Sequence, residues 1–142
     1  MFVPLSPLDF ERRAVALYGR KLGVVDRDRR FTYSEFGDRV SRLANVVQRL
    51  TERPGERVAF LSYNCHQLLE AYYGVMAAGA VLLPLNFRLS PEELTFILSH
   101  ADAHVLFLDA DFIPLVRHML PRLPSLQACI LLEGEPAQGF PT

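Results

Sequence analysis

His66 and Glu70 stand four residues apart, a spacing that puts both side chains on one helix face, where they could share a proton or a metal ion. A surface polar pair or an N-terminal-turn histidine is the plainer role. His100, Asp102 and His104 bracket a turn and offer part of a zinc ligand set, which ordinarily takes three or four donors in fixed geometry. A polar loop is plainer here too. Asp109 and Asp111 are paired carboxylates of the kind that hold magnesium or act as acid and base, or simply cap a helix starting near Phe112. Cys65 precedes an apolar helical run, and a helix N-terminus lowers a thiol pKa. It has no convincing partner base, so a structural cysteine is expected. Tyr72, Tyr73, Phe60 and Phe87 offer an aromatic pocket wall, but core packing is the expected role.

The motifs that would turn such residues into a defined active site are missing. No GxGxxG follows a strand, and no GxxxxGK(S/T) occurs; the single lysine, Lys21, lies near no glycine-rich loop. Neither HExxH nor GxSxG is present.

The candidates are carried by a regular series of segments. Residues 8–18 place Leu8, Phe10, Ala14, Val15, Leu17 and Tyr18 at helical spacing, and Gly19 ends the run. Two β-branched and aromatic runs around a polar turn predict a hairpin over 22–33. Thr32 with Glu35 is a capping box opening a helix over 34–50, with Phe36, Val40, Leu43, Ala44, Val47 and Leu50 on one face. Pro54-Gly55 then makes a turn.

From 57 to 133 the pattern alternates. Apolar strands at 57–62, 81–85, 105–109 and 127–133 are separated by helices at 65–78, 90–100 and 112–120. Strands apolar on both faces are what a helix-covered parallel sheet requires, with right-handed connections. The predicted fold is therefore α/β: an open, doubly wound, mostly parallel sheet, preceded by a helix, a β-hairpin and a helix. One domain is expected over 1–133, with 134–142 as a linker or truncation tail. In such sheets ligands collect at the carboxyl ends of the strands, here 62–64, 85–88, 109–111 and 133–134.

Composition agrees. The 142 residues are 50% hydrophobic and 22% charged with net charge −1, which fits a soluble globular unit and gives no basic surface for nucleic acid. Residues 1–60 carry 12 basic and 8 acidic side chains, and residues 61–142 carry 3 and 8. The basic groups are spread out, and Arg27, Arg29 and Arg30 alternate with Asp26 and Asp28. Cys65 and Cys129 show no CxxC spacing, so reduced thiols and a cytoplasmic setting are expected. No basic-then-apolar leader opens the chain, and the longest apolar stretch, 74–85, is broken by Gly79 and Pro84, so no membrane span is predicted.

Four pieces carry a resemblance: FTYSEF at 31–36, GERVAFLSYN at 55–64, GVMAAGAVLLPLNFRLSPEEL at 74–94 and VLFLD at 105–109. In this order, and over 8–133 as a whole, the chain resembles the N-terminal part of the AMP-forming acyl-CoA synthetase family. That family shares its fold with firefly luciferase and peptide-synthetase adenylation domains, and the chain looks closest to members that activate fatty or other carboxylic acids. The resemblance implies a partial domain of the adenylate-forming fold. It also implies a two-step reaction, in which a carboxylate attacks the α-phosphate of ATP to give acyl-adenylate and pyrophosphate, and the thiol of CoA then displaces AMP.

ATP, Mg and CoA are thus implied for the full-length family member, and none of them for this chain. The family's Ser/Thr/Gly-rich phosphate loop ending in lysine, its Tyr-Gly-x-Thr-Glu adenine segment, its ribose-binding aspartate and its C-terminal catalytic lysine have no counterpart here. All would lie beyond Thr142. No catalytic, cofactor-binding or metal-binding residue therefore carries over. The expectation is an inactive fragment that supplies scaffold and part of an acyl-pocket wall, with Asn86 and Arg88 in a turn that orders the next helix. Its expected partners are the remainder of the synthetase chain and a second copy in a homodimer. The alternatives are a stand-alone interaction module without catalysis and a small-molecule binding unit with a ligand over Asn64 and Asn86.

Overall fold

A computed structural model of the chain describes residues 6–134. Helix α1 (Pro7–Tyr18) starts where the Ser6 hydroxyl accepts a hydrogen bond from the Leu8 amide at 3.2 Å, with Pro7 at the first helical position. No residue of α1 is buried. It approaches the next helix over Gly37, where an added Cβ would stand 2.8 Å from Val15 Cγ2. Strands β1 (Leu22–Asp26) and β2 (Arg29–Thr32) pair antiparallel as the predicted hairpin, with Asp26 opposite Arg29. The tight turn between them holds Arg27 at φ 53°, in the left-handed region.

Helix α2 (Tyr33–Leu50) is opened by the predicted capping box. The Glu35 carboxylate accepts from the Thr32 amide at 2.8 Å, and the Thr32 hydroxyl accepts from the Glu35 amide at 3.3 Å. The alternating series follows: β3 (Arg57–Leu61), α3 (His66–Ala77), β4 (Val81–Pro84), α4 (Pro91–His100), β5 (Ala103–Leu108), α5 (Ile113–Met119) and β6 (Ala128–Leu131). Single 3₁₀ turns, Ala110–Phe112 and Leu120–Arg122, flank α5. The strands form one four-stranded sheet in the order β4-β3-β5-β6, parallel throughout.

Alternate residues of the central strands serve two cores. Val58 and Phe60 of β3 and Val105 and Phe107 of β5 face α2 and α3, in a cluster with Val47, Ala71 and Val75. Phe60 and Phe107 stack there with ring centroids 4.6 Å apart. Ala59, Leu61, Leu106 and Leu108 face the other way, against Leu94 and Leu98 of α4 and Val116 and Met119 of α5. This two-faced burial is what an all-apolar strand codes for.

The last strand is shorter than the predicted 127–133. Its partner β5 ends at Leu108, opposite Leu131, so the chain beyond Leu131 has no strand to pair with. The expected tail at 134–142 lies, from residue 135 on, outside the described residues.

Candidate functional site

The central strands β3 and β5 are neighbours in the sheet, yet the chain leaves β3 for β4 on one side and leaves β5 for β6 on the other. A crevice must open where the two paths diverge, at the carboxyl ends of the strands. A cleft of about 350 Å³ lies there. Tyr63, Cys65 and His66 follow β3, Asp109 and Asp111 follow β5, and Glu133 follows β6; the hairpin turn closes the remaining side.

His66 sits at the centre of the polar contacts. Cys65 stands just before helix α3, at its N-cap, and its side chain makes no cap. The cap comes instead from the hairpin: Asp26 Oδ2 accepts from the His66 amide at 2.9 Å and lies 2.7 Å from His66 Nδ1. A carboxylate at this helix end also meets the favourable end of the helix dipole. The hydrogen bonds from His66 hold the Asp26 carboxyl below the usual carboxylate range. With Asp26 ionised, Nδ1 carries the proton and donates. Nε2 faces Arg29 Nη1 at 3.4 Å, and the ring lies against Phe31 with centroids 5.0 Å apart. Arg29 also pairs with Glu133 Oε1, which accepts from Gln67 Nε2 at 2.6 Å. The hydrogen bond from Arg29 is the main reason the Glu133 carboxyl is held low.

Glu70 does share a helix face with His66, as its spacing predicts, but the pair is not on the surface. Both are buried, at 3% and 5% exposure, and each is engaged with a different element. Glu70 Oε1 accepts from Arg39 Nε of α2 at 2.5 Å, and the Arg39 guanidinium lies over the Phe31 ring at 5.0 Å. The expectation of an exposed pair is corrected for a physical reason. The compensating groups, Asp26 and Arg39, come from the hairpin and α2, and they permit burial that isolated polar groups would resist.

The other candidates divide. Asp102 pairs with Arg57 at 3.0 Å and lies 3.9 Å from His104 Nε2, while His100 stacks on Phe96 with centroids 5.6 Å apart, so the trio does not converge. Asp109 makes no side-chain bond to the helical turn that follows it. It accepts from the Tyr63 amide at 3.0 Å, joining the ends of β5 and β3, which corrects its expected capping role. Cys65 is not activated by its place at the helix start: burial, reinforced by the Asp109 charge, pushes its thiol up, in keeping with the structural role expected of it. Burial pushes the Cys129 thiol up to about 11.

Phe60 is core as expected, and Tyr73 meets Phe36 edge-on at 5.7 Å. Tyr72 is 46% exposed, because α3 turns Ala71 and Val75 toward the sheet and leaves Tyr72 outside. Phe87 groups with Tyr63 and Phe112. Asn86 Oδ1 accepts from the Arg88 amide at 3.0 Å in the expected turn, and neither Asn64 nor Asn86 lines the cleft.

Asp26, Arg29, Arg39 and Gln67 carry no site signal in the sequence, whereas Tyr63, Asp109, Asp111 and Glu133 are signalled by their places at strand ends. What this arrangement does chemically is hold. The Asp26–His66 pair has the form of a general-base dyad, but Arg29 occupies the nitrogen a substrate proton would need, and the ring is sealed from solvent. Among the described residues no three His, Cys, Asp or Glu side chains gather as a metal site. Among them, too, no helix is long and apolar enough to cross a membrane.

The sequence matches the AMP-binding enzyme family over residues 10–140. It is 39% identical over 141 residues to a long-chain-fatty-acid–CoA ligase of Thermus thermophilus, covering 96% of this chain and 26% of that protein. It is 37% identical to 4-hydroxybutyrate–CoA ligase 2 of Metallosphaera sedula, covering 93% of this chain and 24% of that one. The fold superposes on a fatty acyl CoA synthetase of Mycobacterium tuberculosis with a TM-score of 0.82 at 27% identity, over 87% of this chain and 26% of that one. The chain thus spans about a quarter of the length of the curated relatives it matches. With the ordered sequence pieces, the parallel sheet and these matches in agreement, the chain belongs to the AMP-binding enzyme family.

Proposed function

We propose that the chain is the N-terminal scaffold segment of an ATP-dependent acid–CoA ligase of the fatty-acid type, acting in the cytoplasm. The whole enzyme joins a carboxylate to CoA. The carboxylate oxygen attacks the α-phosphorus of ATP as pyrophosphate leaves, and the sulfur of CoA then attacks the acyl carbon as AMP leaves and the thiol proton is lost. In this reading ATP, Mg and CoA are held by the remainder of the synthetase chain, which is the segment's partner.

The supporting observation is how the polar groups at the sheet's carboxyl ends are used. Asp26 is engaged by His66, Arg29 by Glu133, Arg39 by Glu70 and Asp109 by the Tyr63 amide. Groups fixed in this way bind elements together and leave no activated nucleophile beside a base.

The test is ATP–pyrophosphate exchange with a panel of acids. The 142-residue chain is expected to give no exchange, and the longer protein to give exchange with fatty acids. Exchange by the short chain would refute its scaffold role. No exchange by the longer protein with any acid would refute the ligase reading.

A second reading, an interaction module that self-associates, is favoured by the exposure of Phe10, Leu17 and Phe96 at 64%, 59% and 68%. Light scattering behind a sizing column separates the two: a mass that rises with concentration favours the module, and a constant monomer counts against it.

A further inference from the structure

His66 is the buried histidine among the described residues, and its two ring nitrogens face groups of opposite charge. We propose that His66 is a protonation switch for the β1–β2 hairpin. The neutral ring keeps Arg29 against Glu133 at the end of β6. The protonated ring releases Arg29 and loosens β2, while Asp26 keeps β1 anchored. This inference goes beyond the ligase reading and does not depend on it.

The argument starts from donors and acceptors. A guanidinium can only donate. Its contact with Nε2 at 3.4 Å is attractive only while that nitrogen is bare, which requires the neutral ring with its proton on Nδ1, toward Asp26. A proton arriving on Nε2 places two cationic donors face to face. One of them must leave. The ring cannot, because its side chain is 2% exposed, its own backbone amide is bonded to Asp26 and it sits in the first turn of α3. Arg29 can, because its side chain is 53% exposed on a flexible stem. The protonated ring meanwhile gains an ion pair with Asp26, so the two strands of the hairpin respond in opposite senses.

Every element around the ring contributes charge. Asp26 of β1 favours the protonated ring, Arg29 of β2 opposes it, and Arg27 and Asp28 in the turn between them carry opposite charges that largely cancel. Glu133 after β6 favours it, as do Asp109 and Asp111 across the cleft. From α2, Arg39 is drawn toward Glu70, one turn along α3, and that pair largely cancels. Arg29 is therefore the group whose position the proton decides.

The test is nuclear magnetic resonance of the whole chain with ¹⁵N-labelled histidine and backbone amides, followed through the protonation of the His66 ring. Before protonation His66 Nε2 is expected to show the resonance of a bare, imine-type nitrogen. As it takes up a proton, the protection of the Arg30 and Phe31 amides, relative to their intrinsic exchange at each pH, should fall on the order of tenfold, while Ala59 and Leu106 in the sheet keep theirs. In Arg29→Gln, an exposed and conservative change, the ring should take up its proton at higher pH, and the hairpin should exchange fast throughout. Three results would each overturn the proposal. These are β2 exchange that does not follow the ring, loss of sheet protection at the same pH, and an unmoved His66 titration in Arg29→Gln.

Discussion

The parallel sheet and the N-terminal layer of α1 and the hairpin are held by different forces. In the sheet, both faces of β3 and β5 are sealed by helices, and residues such as Val58, Leu61, Leu106 and Leu108 are fully buried. In the N-terminal layer α1 buries no residue, and the hairpin reaches the sheet through Asp26, Arg29 and the Phe31 ring beside His66. Apolar burial is non-directional and scales with area. The hairpin contacts are directional and charged, so they depend on pH and salt as the sheet does not.

The largest expected effect breaks the sheet. Leu106→Ala opens a cavity in the α4–α5 core and should cost about 3 kcal/mol of unfolding free energy, read by urea titration. The loss should be felt equally by probes in the sheet and in the hairpin, since the hairpin has nothing to dock on once the sheet unfolds.

Asp26→Asn comes next. It removes a charged acceptor used twice by His66 and should cost about 2 kcal/mol near neutral pH. The sign of its pH dependence follows from the depressed carboxyl. Asp26 contributes fully above its unfolded pKa of about 3.9 and loses that contribution as pH falls toward its lower folded value. Urea titrations from neutral to acid pH should therefore show a smaller drop below about pH 4 in Asp26→Asn than in the parent chain.

The smallest expected effect lies where the two regions join. Thr32→Ala removes the hydroxyl half of the capping box at the start of α2 and should cost about 1 kcal/mol by the same titration. A loss as large as that of Leu106→Ala would mean that α2 depends on its cap more than on Phe36, Val40 and Val47, and would blur the distinction between the regions.

The same division explains what could be read from the residues. The strands at 57–62 and 105–109 were legible because apolar burial on two faces leaves a local signature. The capping box was legible because Thr32 and Glu35 are three positions apart. The hairpin anchors were not. Asp26 and His66 are separated by 40 positions, Arg39 and Glu70 by 31, and Arg29 and Glu133 by 104, so no local pattern links them. The spacing of His66 and Glu70 correctly put them on one face. It could not show that the face is buried, since that depends on charges delivered by other elements. Asp109 misled for the same reason: its partner, the Tyr63 amide, is a neighbour only once β3 and β5 are side by side.

The most direct measurement is native-state hydrogen exchange on the parent chain and Asp26→Asn, comparing amides of β2 with amides of β5. If polar anchoring holds the hairpin and apolar burial holds the sheet, Arg30 and Phe31 will lose protection in the variant while Leu106 and Phe107 keep theirs. Equal loss in both strands, or none in β2, would contradict that account.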